Sequence, residues 1–372
     1  VSVLWAVIGF TLAFGTDLGG GLLGGLDHLG LAGLTGEGAT VPGYVNDAGA
    51  SSLTIPPLLF MVYQMMFAII TPALFTGAVA DRMKFSAYAW FLGMWSILVY
   101  SPVAHWVFSP EGWANNLGAL DFAGGTVVHI NAGIAALALV IVLGKRRGWP
   151  NEAMAPHSLP LTLLGTGMLW FGWFGFNAGS ALGANELAVS AFVNTHLSAA
   201  AGMLGWLAAE KLKTGHATTL GGASGAVAGL VAITPCAGFV GGLAPIAIGF
   251  IAGAVCLVAV QLKFRFGYDD SLDVVAVHLV GGTVGSLLVG VFATMAVNPD
   301  GADGLLSGGG AVLLGRQLVA VLVVLTYSFV MSLLIAKVLD RIIGLRVTDE
   351  QELIGLDASL HAERAYQASE SV

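Results

Sequence analysis

The sequence predicts an all-α protein that crosses a membrane many times. Of its 372 residues, 56% are hydrophobic and only 10% are charged, and the mean hydropathy is +0.85. Soluble globular domains carry about 25% charged residues, so this composition is typical of an integral membrane protein. Ten apolar segments and a regular alternation of basic and non-basic loops support the same interpretation.

The apolar segments have the length, or nearly the length, that a membrane-spanning helix needs, which is roughly 20 residues. They lie at 1–14 (a partial span), 55–80, 87–108, 122–143, 159–178, 191–210, 218–234, 239–262, 272–297 and 311–336. Because backbone polar groups cannot stay unpaired in lipid, helices are the expected form. The alternating pattern of a membrane β-barrel is missing from the sequence.

The loops predict how the helices are oriented. Every second loop, and the tail, carries basic residues: Arg82 and Lys84; Lys145, Arg146 and Arg147; Lys211 and Lys213; Lys263 and Arg265; and Arg341, Arg346 and Arg364. The intervening loops, 15–54, 109–121, 179–190, 235–238 and 298–310, contain no Lys or Arg. Cytoplasmic loops are enriched in both, so we expect a cytoplasmic C-terminus and a multi-pass protein of the cell (inner or cytoplasmic) membrane.

The two ends of the sequence carry separate expectations. The chain opens inside an apolar run, VSVLWAVIGFTLAFG, with Val at residue 1 and no basic n-region or cleavage site. We expect a fragment that lacks its natural N-terminus. We divide the chain into a transmembrane domain at 1–343 and a cytoplasmic tail at 344–372.

An internal repeat links two histidines in the middle of apolar spans. Asp121 precedes His129 by eight residues, and Asp270 precedes His278 by eight residues. The flanks LDFAGGTVVHINAGI and SLDVVAVHLVGGTV also match, although chance similarity between two apolar helices is the alternative. The loop pattern orients the two spans oppositely, which is what an inverted-topology repeat produces, with both histidines near the midplane.

A histidine inside a membrane is costly and usually functional. The alternative for each is a packing histidine bonded to a neighbouring carbonyl. Two neutral imidazoles can share a proton, one donating and the other accepting, so His129 and His278 would titrate as a unit. Such a pair suits a polar solute that must lose its hydration, or a relayed proton.

Four long motifs identify a family resemblance. The sequences FAIITPALFTGAVADRMKFSA (67–87), DFAGGTVVHINAG (121–133), WFGFNAGSALGANE (173–186) and GLRVTDEQELIGLDASLHAERAY (344–366) resemble the ammonium transporter (Amt) family of the Amt/Rh superfamily. The resemblance covers essentially the whole chain. It implies the Amt/Rh fold, with inverted five-helix repeats and ten of the family's eleven helices present here.

The resemblance also implies roles for individual residues. His129 and His278 would be the twin histidines that line a narrow hydrophobic pore. Phe67 and Phe176 would be the stacked phenylalanines that close its outer end, although core packing is the alternative. Asp121 would give electrostatic support to a bound cation, or would cap a helix, or both.

The implied outer binding site comprises Phe67, Phe108, Ser180 and Trp173. Phe108 stands where the family often has Trp, the stronger cation–π partner, and Trp113 is an alternative for completing the site. A second departure lies in the tail, where Ala362 replaces a usual Gly. That change costs little at negative φ and more if the backbone needs glycine.

The implied function is ammonium and ammonia transport. NH4+ would be recruited at the outer aromatic and hydroxyl site, and NH3 would then pass along the two histidines, because an ion crosses an apolar pore only at high cost. Hydroxyl and carbonyl acceptors would favour ammonium over potassium, which cannot donate hydrogen bonds. Whether a proton follows by a separate path, or the protein is a gas channel, stays open at this stage.

Other functions compete with transport. An ammonium sensor would use the same pore as a receptor, but only about thirty residues follow the last span, too few for a signalling domain. A proton-coupled transporter for another solute would need more intramembrane charges. The Amt-style tail and the NAGSALGANE run argue against an Rh-like gas channel. Without a nucleophile–base pair or a metal cluster we expect neither an enzyme nor a cofactor.

The resemblance implies two kinds of protein partner. The first is two further copies of the chain in a homotrimer, each subunit with its own pore. The second is a trimeric nitrogen-regulatory signal protein that plugs the inner mouth. The tail would then pack on the cytoplasmic face, whereas its mixed charge alone also fits a disordered segment. The basic residues occur singly, in pairs and in one triplet, and this distribution gives no indication of nucleic-acid binding.

Overall fold

The computed structural model of the chain describes residues 1–366, and this part is helical throughout its membrane region. Ten helices follow one another: α1 (Ser2–Phe14), α2 (Pro57–Val79), α3 (85–108), α4 (Gly125–Leu143), α5 (Leu159–Gly179), α6 (Glu186–Thr214), α7 (Thr219–Ile233), α8 (Ala244–Phe266), α9 (Val275–Phe292) and α10 (Val312–Ile343). Each coincides with one of the ten predicted segments, which confirms the all-α multi-pass fold.

Eight of these helices are long and apolar enough to cross a membrane, and α1 and α7 are shorter. The prediction made 218–234 a nearly full span, but α7 has 15 residues and is about 22 Å long. Its start is fixed at Thr218, whose side chain accepts a hydrogen bond from the Gly221 N–H. Its other end is closed by the tight turns around Pro235.

Helices α6, α7 and α8 pack closely because glycines lie at their contacts. A Cβ at Gly202 would lie 2.7 Å from the Gly229 Cα, and a Cβ at Gly253 would lie 2.8 Å from the Trp206 backbone nitrogen. The Ser198 hydroxyl donates to the Gly229 carbonyl at 2.8 Å across the same contact. Small residues allow membrane helices to approach to this distance, where dispersion and hydrogen bonds hold them together.

Helices α4 and α9 share an unusual feature at their starts. Each opens with a π-helical turn, at Gly125–Ile130 and Val275–Val280, before regular α-helix follows. Both turns contain the histidine of the sequence repeat. Single π turns inside helices occur frequently at functional sites.

The predicted cytoplasmic loops are joined by a buried arginine. Arg82 follows α2 and is fully buried. Its Nε donates to the Gly144 carbonyl at 3.0 Å, and Nη1 donates to the Ser271 hydroxyl at 3.0 Å. Arg82 therefore connects the end of α4 with the loop that precedes α9.

A second arginine completes this cluster. Arg146 binds the buried Asp269 carboxylate in bidentate fashion, with Nε and Nη2 donating at 2.9 and 2.8 Å. Burial raises the pKa of Asp269, but the hydrogen bonds and charge of Arg146 outweigh it and hold the pKa below its usual value. The paired charges make the buried carboxylate tolerable.

The tail packs on these loops. Arg346 donates to the Leu143 carbonyl at 3.0 Å and to the Glu352 carboxylate at 2.7 Å. Two short helices follow, α11 (Asp349–Ile354) and α12 (Leu356–Leu360). Over 344–366 the chain is thus ordered, whereas the division at 343/344 remains a prediction and 367–372 lie outside the described residues.

Ala362, in the tail, has a backbone conformation that favours glycine. Ala362 has φ +54°. This is the left-handed region, which costs an L-residue with a side chain roughly 1–2 kcal/mol. The glycine that is usual at this position would adopt the same backbone without that cost.

We predict that Gly253→Val destabilises the protein severely. Its branched side chain would meet the backbone of α6, and overpacking costs about 1–3 kcal/mol or more. The measurement is the thermal unfolding midpoint of the detergent-purified protein. Gly93→Ala is the control, since its Cβ would meet only the Leu4 side chain at an ordinary 3.6 Å. Equal midpoints for both variants would contradict the packing argument.

Candidate functional site

The two repeat histidines meet in the interior of the helix bundle. The Nδ1 atoms of His129 and His278 are 3.2 Å apart, and the ring centroids are 5.3 Å apart with planes inclined by 22°. Both side chains are buried. At this separation one Nδ1–H donates and the other Nδ1 accepts, so the pair shares one proton position as two neutral rings. The His129 Nε2 has no hydrogen-bond partner among the described residues.

Glycines permit the close crossing that brings the rings together. A Cβ at Gly282 would lie 2.9 Å from the His129 Cβ, and a Cβ at Gly133 would overlap the Leu279 backbone. Each histidine helix thus presents a glycine to the other helix of the pair. Larger residues at these positions would push α4 and α9 apart and separate the two nitrogens.

Aspartates explain the constant spacing within the repeat. The Asp121 carboxylate accepts hydrogen bonds from the N–H groups of Gly124 at 2.8 Å, Gly125 at 2.6 Å and Thr126 at 2.8 Å, and also from the Thr126 hydroxyl. Asp270 accepts from the Val275 N–H at 2.7 Å. Each carboxylate caps the first turn of its helix, and the histidine follows on the next turns.

Aromatic rings form a column that leads from the histidines toward the loops without Lys or Arg, which are predicted to lie outside. Trp173 stacks on His129, with centroids 5.3 Å apart and planes inclined by 18°, and its Nε1 donates to the Thr234 hydroxyl at 2.9 Å. Phe176 lies beside Trp173, and Phe67 stacks on Phe176 at 4.4 Å. The rings of Phe67 and Phe176 thus lie in contact between the histidines and the outer loops.

Beyond Phe67 lies a cavity of about 170 Å³, which we call the outer cavity. Its lining comprises Tyr44, Phe60, Tyr63, Gln64, Phe67, Val107, Phe108, Asn115, Asp121, Phe122, Ser180, Leu182 and Phe239. The walls are thus mainly aromatic, with a few hydroxyl, amide and carboxylate groups. Such a combination suits a small, partly dehydrated cation.

The structure brings most of the predicted outer-site residues together. Phe67, Phe108 and Ser180 all line the outer cavity, and the rings of Phe67 and Phe108 are 5.7 Å apart. Trp113 instead packs on Trp106 at 5.9 Å and does not belong to the lining. Of the two aromatic candidates, Phe108 is therefore the one that faces the cavity.

Trp173 lies deeper than the sequence prediction implied. We expected it in the outer site, but it lies on the far side of Phe176, against His129. The reason is helical geometry. Residues 173 and 176 are three apart on α5, so their side chains stack along the helix axis instead of sharing one level.

Four polar residues of the cavity were not predicted: Tyr44, Asn115, Tyr63 and Gln64, of which the last two lie next to the predicted site. The Tyr63 hydroxyl donates to the Phe176 carbonyl at 2.6 Å and lies 2.8 Å from the Ser180 hydroxyl oxygen. The Gln64 Oε1 is buried without a partner among the described residues. The sequence positions of Tyr63 and Gln64 could have indicated both residues. Tyr63 precedes Phe67 by one helical turn, and Gln64 is a polar residue within the apolar α2.

The site contains no recognisable metal centre. Within residues 1–366, no three His, Cys, Asp or Glu side chains are grouped so that they could hold an ion. The free cysteines Cys236 and Cys256 are buried among apolar residues.

A family model and the sequences of known relatives agree on the family that this chain resembles. A family model described as Ammonium Transporter Family matches residues 1–366. Ammonium transporters of Mycobacterium tuberculosis and Bacillus subtilis are 51% and 49% identical to the chain, covering 98% and 99% of it and 80% and 88% of their own lengths.

Solved structures of the same kind superpose on the chain. Candida albicans Mep2 does so with a TM-score of 0.84 and 36% identity, covering 94% of this chain and 76% of that one. A protein described as Sensor Amt Protein does so with a TM-score of 0.82 and 30% identity, covering 96% and 86%.

We predict that Asp121→Asn lowers the thermal unfolding midpoint. An amide can turn its oxygen toward one or two of the capped N–H groups, but its NH2 then faces the others. Losing charge-assisted hydrogen bonds at a helix start costs about 1.5–3 kcal/mol. Asp300→Asn is the control, because that carboxylate is exposed on the same side of the protein. An unchanged midpoint for Asp121→Asn would refute the capping role.

Proposed function

The chain belongs to the ammonium transporter family, whose members are membrane transporters and not enzymes, and from this premise we propose that it carries ammonium across the cell membrane. NH4+ is recruited in the outer cavity and gives up one proton there, which either returns to the outside water (a gas channel) or crosses by a separate path (electrogenic transport). NH3 then passes between the aromatic rings and along His129 and His278. The observation that carries the proposal is the buried histidine pair, 3.2 Å apart, directly inward of the aromatic column.

Recruitment rests on the chemistry of the outer cavity. The faces of Phe67 and Phe108 attract a compact cation, each by about 0.5–2 kcal/mol, with the upper end reached on desolvation. The Tyr63 and Ser180 hydroxyls both have the Phe176 carbonyl within donor distance, so lone pairs on Ser180 Oγ remain available to accept from N–H groups. Potassium has no such donors, and the site discriminates against it.

NH4+ must be deprotonated because the aromatic column is too narrow for a hydrated ion. Phe67 and Phe176 stack at 4.4 Å, so a hydrated ion cannot pass without first losing its water. Carrying a full charge through an apolar interior is costly, whereas ammonia is neutral and small. The histidine nitrogens supply hydrogen-bond partners for ammonia along the path, and the unpartnered His129 Nε2 is the first candidate.

We predict that His129→Ala and His278→Ala each reduce ammonium transport about tenfold or more, which corresponds to losing one buried hydrogen-bonding partner. The measurement is the current across a solid-supported membrane carrying the purified protein, on adding ammonium at fixed pH. Potassium addition and His216→Ala, an exposed loop histidine, are the controls.

The outcomes separate the possible mechanisms. A saturable ammonium-specific current that the histidine variants lose supports transport of ammonia together with a proton. No current but a histidine-dependent ammonia flux in a pH-dye assay identifies a gas channel. Neither signal in the unmodified protein would overturn the transport proposal.

The second candidate function is ammonium sensing, with the same pore acting as a receptor. The observation that favours it is the superposition on the protein described as Sensor Amt Protein, at a TM-score of 0.82. Ammonium binding without either current or flux would make sensing the better interpretation.

The distribution of basic residues supports a cytoplasmic C-terminus. Arg82, Arg146 and Arg346 come from two different loops and the tail, yet they interact at one end of the bundle. Lys263 lies in the same region, since it donates to the Asp270 carbonyl. Cytoplasmic faces of membrane proteins are enriched in such residues, so we assign this end to the cytoplasm.

Helix α5 supports assembly into a homotrimer. Only 6% of the most apolar 18-residue stretch of this helix is buried within the subunit. Met168 and Phe171 are exposed, and nothing in the subunit lies within 4 Å of a Cβ built at Gly172 or Gly175. Glycines beside bulky apolar residues form the kind of surface on which membrane helices of separate subunits pack.

We predict that Gly172→Leu weakens the trimer. A leucine there would fill the space into which a neighbouring subunit packs. The measurement is the oligomeric state by native mass spectrometry in detergent. Gly315→Leu on α10 is the matched control, since that glycine also has nothing within 4 Å. If Gly172 faced lipid, both variants would keep the parent oligomeric state.

The tail supports a regulatory partner at the same end of the protein. It is held against the end of α4 and the loop that follows, because Arg346 donates to the Leu143 carbonyl and the Arg147 N–H donates to the Glu352 carboxylate, and α11 leaves Leu353 and Ile354 exposed. Exposed apolar residues on an ordered polar surface are typical of protein contact sites. We propose that a trimeric nitrogen-regulatory signal protein docks here and closes the inner mouth.

A further inference from the structure

A second cavity adjoins the outer cavity and contains a basic residue. This side cavity has a volume of about 260 Å³, and it shares Val107, Asn115, Asp121 and Phe239 with the outer cavity. Asp300 and Arg316 also line it. A cation approaching the outer cavity therefore comes within range of the Arg316 charge.

Arg316 is unusual in its position along the chain. It is the fifth residue of α10, at the end opposite to Arg341. The two residues are 25 positions apart, which corresponds to about 37 Å of helix. The other Lys and Arg residues of the sequence all follow spans that end at the Arg341 side, or lie near that end of α10. Among the Lys and Arg residues, Arg316 alone places a positive charge in the half of the helix bundle that contains the two cavities.

Local structure gives no reason for this arginine. The start of a helix carries the positive end of its dipole, so a cation there gains nothing and is mildly unfavourable. Within residues 1–366, none of the ion pairs shorter than 4.0 Å includes Arg316. The Asp121 carboxylate instead accepts from the backbone N–H groups of Gly124, Gly125 and Thr126, and it forms no ion pair with Arg316.

The guanidinium is nevertheless held at the cavity. A Cβ at Gly118, which has φ +83°, would lie 2.8 Å from the Arg316 Nη1. The charged group thus rests on the bare backbone of Gly118, and any side chain there would displace it. Gln317, the next residue, anchors this part of α10 through hydrogen bonds with the Leu120 N–H and carbonyl.

We propose that Arg316 is an affinity-determining residue, whose fixed positive charge opposes the accumulation of NH4+ in the two outer cavities. This inference rests on the proposed function. Asp121 and Asp300 attract the cation, and Arg316 offsets part of that attraction. The effect is electrostatic and acts through space, so it depends on charge and weakens as salt screens it.

The test measures the ammonium concentration that gives half-maximal transport current. Arg316→Gln should lower it about two- to fivefold, as expected for one partly screened charge near the site. Arg316→Lys keeps the charge and should match the parent. Asp300→Asn should move the value in the opposite direction. Arg341→Gln, at the far end of the same helix, is the matched control and should change nothing.

Ionic strength supplies an independent readout. Between 10 and 300 mM of a bulky inert salt, the ratio of half-saturation values for the parent and Arg316→Gln should fall toward one, since the Debye length shortens from about 30 Å to less than 8 Å. A ratio that stays constant would point to a steric effect and overturn the proposal. So would unchanged affinity in Arg316→Gln. Absence of any ammonium signal in the parent would instead refute the proposed function.

Discussion

The close crossing of α4 and α9 is the contact on which the interior of this protein depends. Two helices of opposite direction meet through glycines, and each places one imidazole in the contact. A buried imidazole nitrogen without a hydrogen-bond partner costs several kcal/mol. Together the two rings satisfy one nitrogen each. The aspartate caps, the π-helical turns and the glycines can all be understood as means of bringing these two atoms to 3.2 Å.

Along the line from the outer cavity to the histidines, the groups that line the path change from polar to apolar and back to polar. The outer cavity offers hydroxyl and carboxylate groups at its walls, the aromatic column offers only ring faces, and the histidines again offer nitrogen. A solute that enters must therefore exchange water for ring faces, and then ring faces for imidazole. In the proposed mechanism, this sequence of environments favours a solute that is small and can become neutral.

Much of this arrangement was predictable from the sequence, because membrane proteins obey strong and simple constraints. Hydropathy locates all ten helices, and the Asp–His spacing predicts the inverted pair from the sequence alone. The depth at which a side chain lies within the helix bundle was harder to predict. Trp173 and Phe176 occupy different levels although both belong to one motif, and only the tilt and contacts of α5 decide which ring reaches His129.

Long-range contacts of polar side chains were beyond sequence reasoning for a similar reason. Nothing in the local sequence of Arg82 indicates that it bonds to Gly144 and Ser271, and nothing around Arg316 indicates a cavity. Tyr63 and Gln64 were hidden within an apolar helix whose interior face could not be identified without its neighbours. Periodicity identifies elements, but it does not identify which elements meet.

The Arg82 cluster has a mechanical consequence for the histidine pair. Arg82 and Arg346 bind the carbonyls at the end of α4, and Arg82 also binds the loop that leads into α9. An α-helix is stiff along its axis, so an axial slip imposed at Leu143 reaches His129 almost undiminished. The nitrogen pair at 3.2 Å is already near the long end of the hydrogen-bonding range. The hydrogen bonds of Arg82 and Arg346 therefore hold α4 at a point about 21 Å along the helix from the contact between His129 and His278.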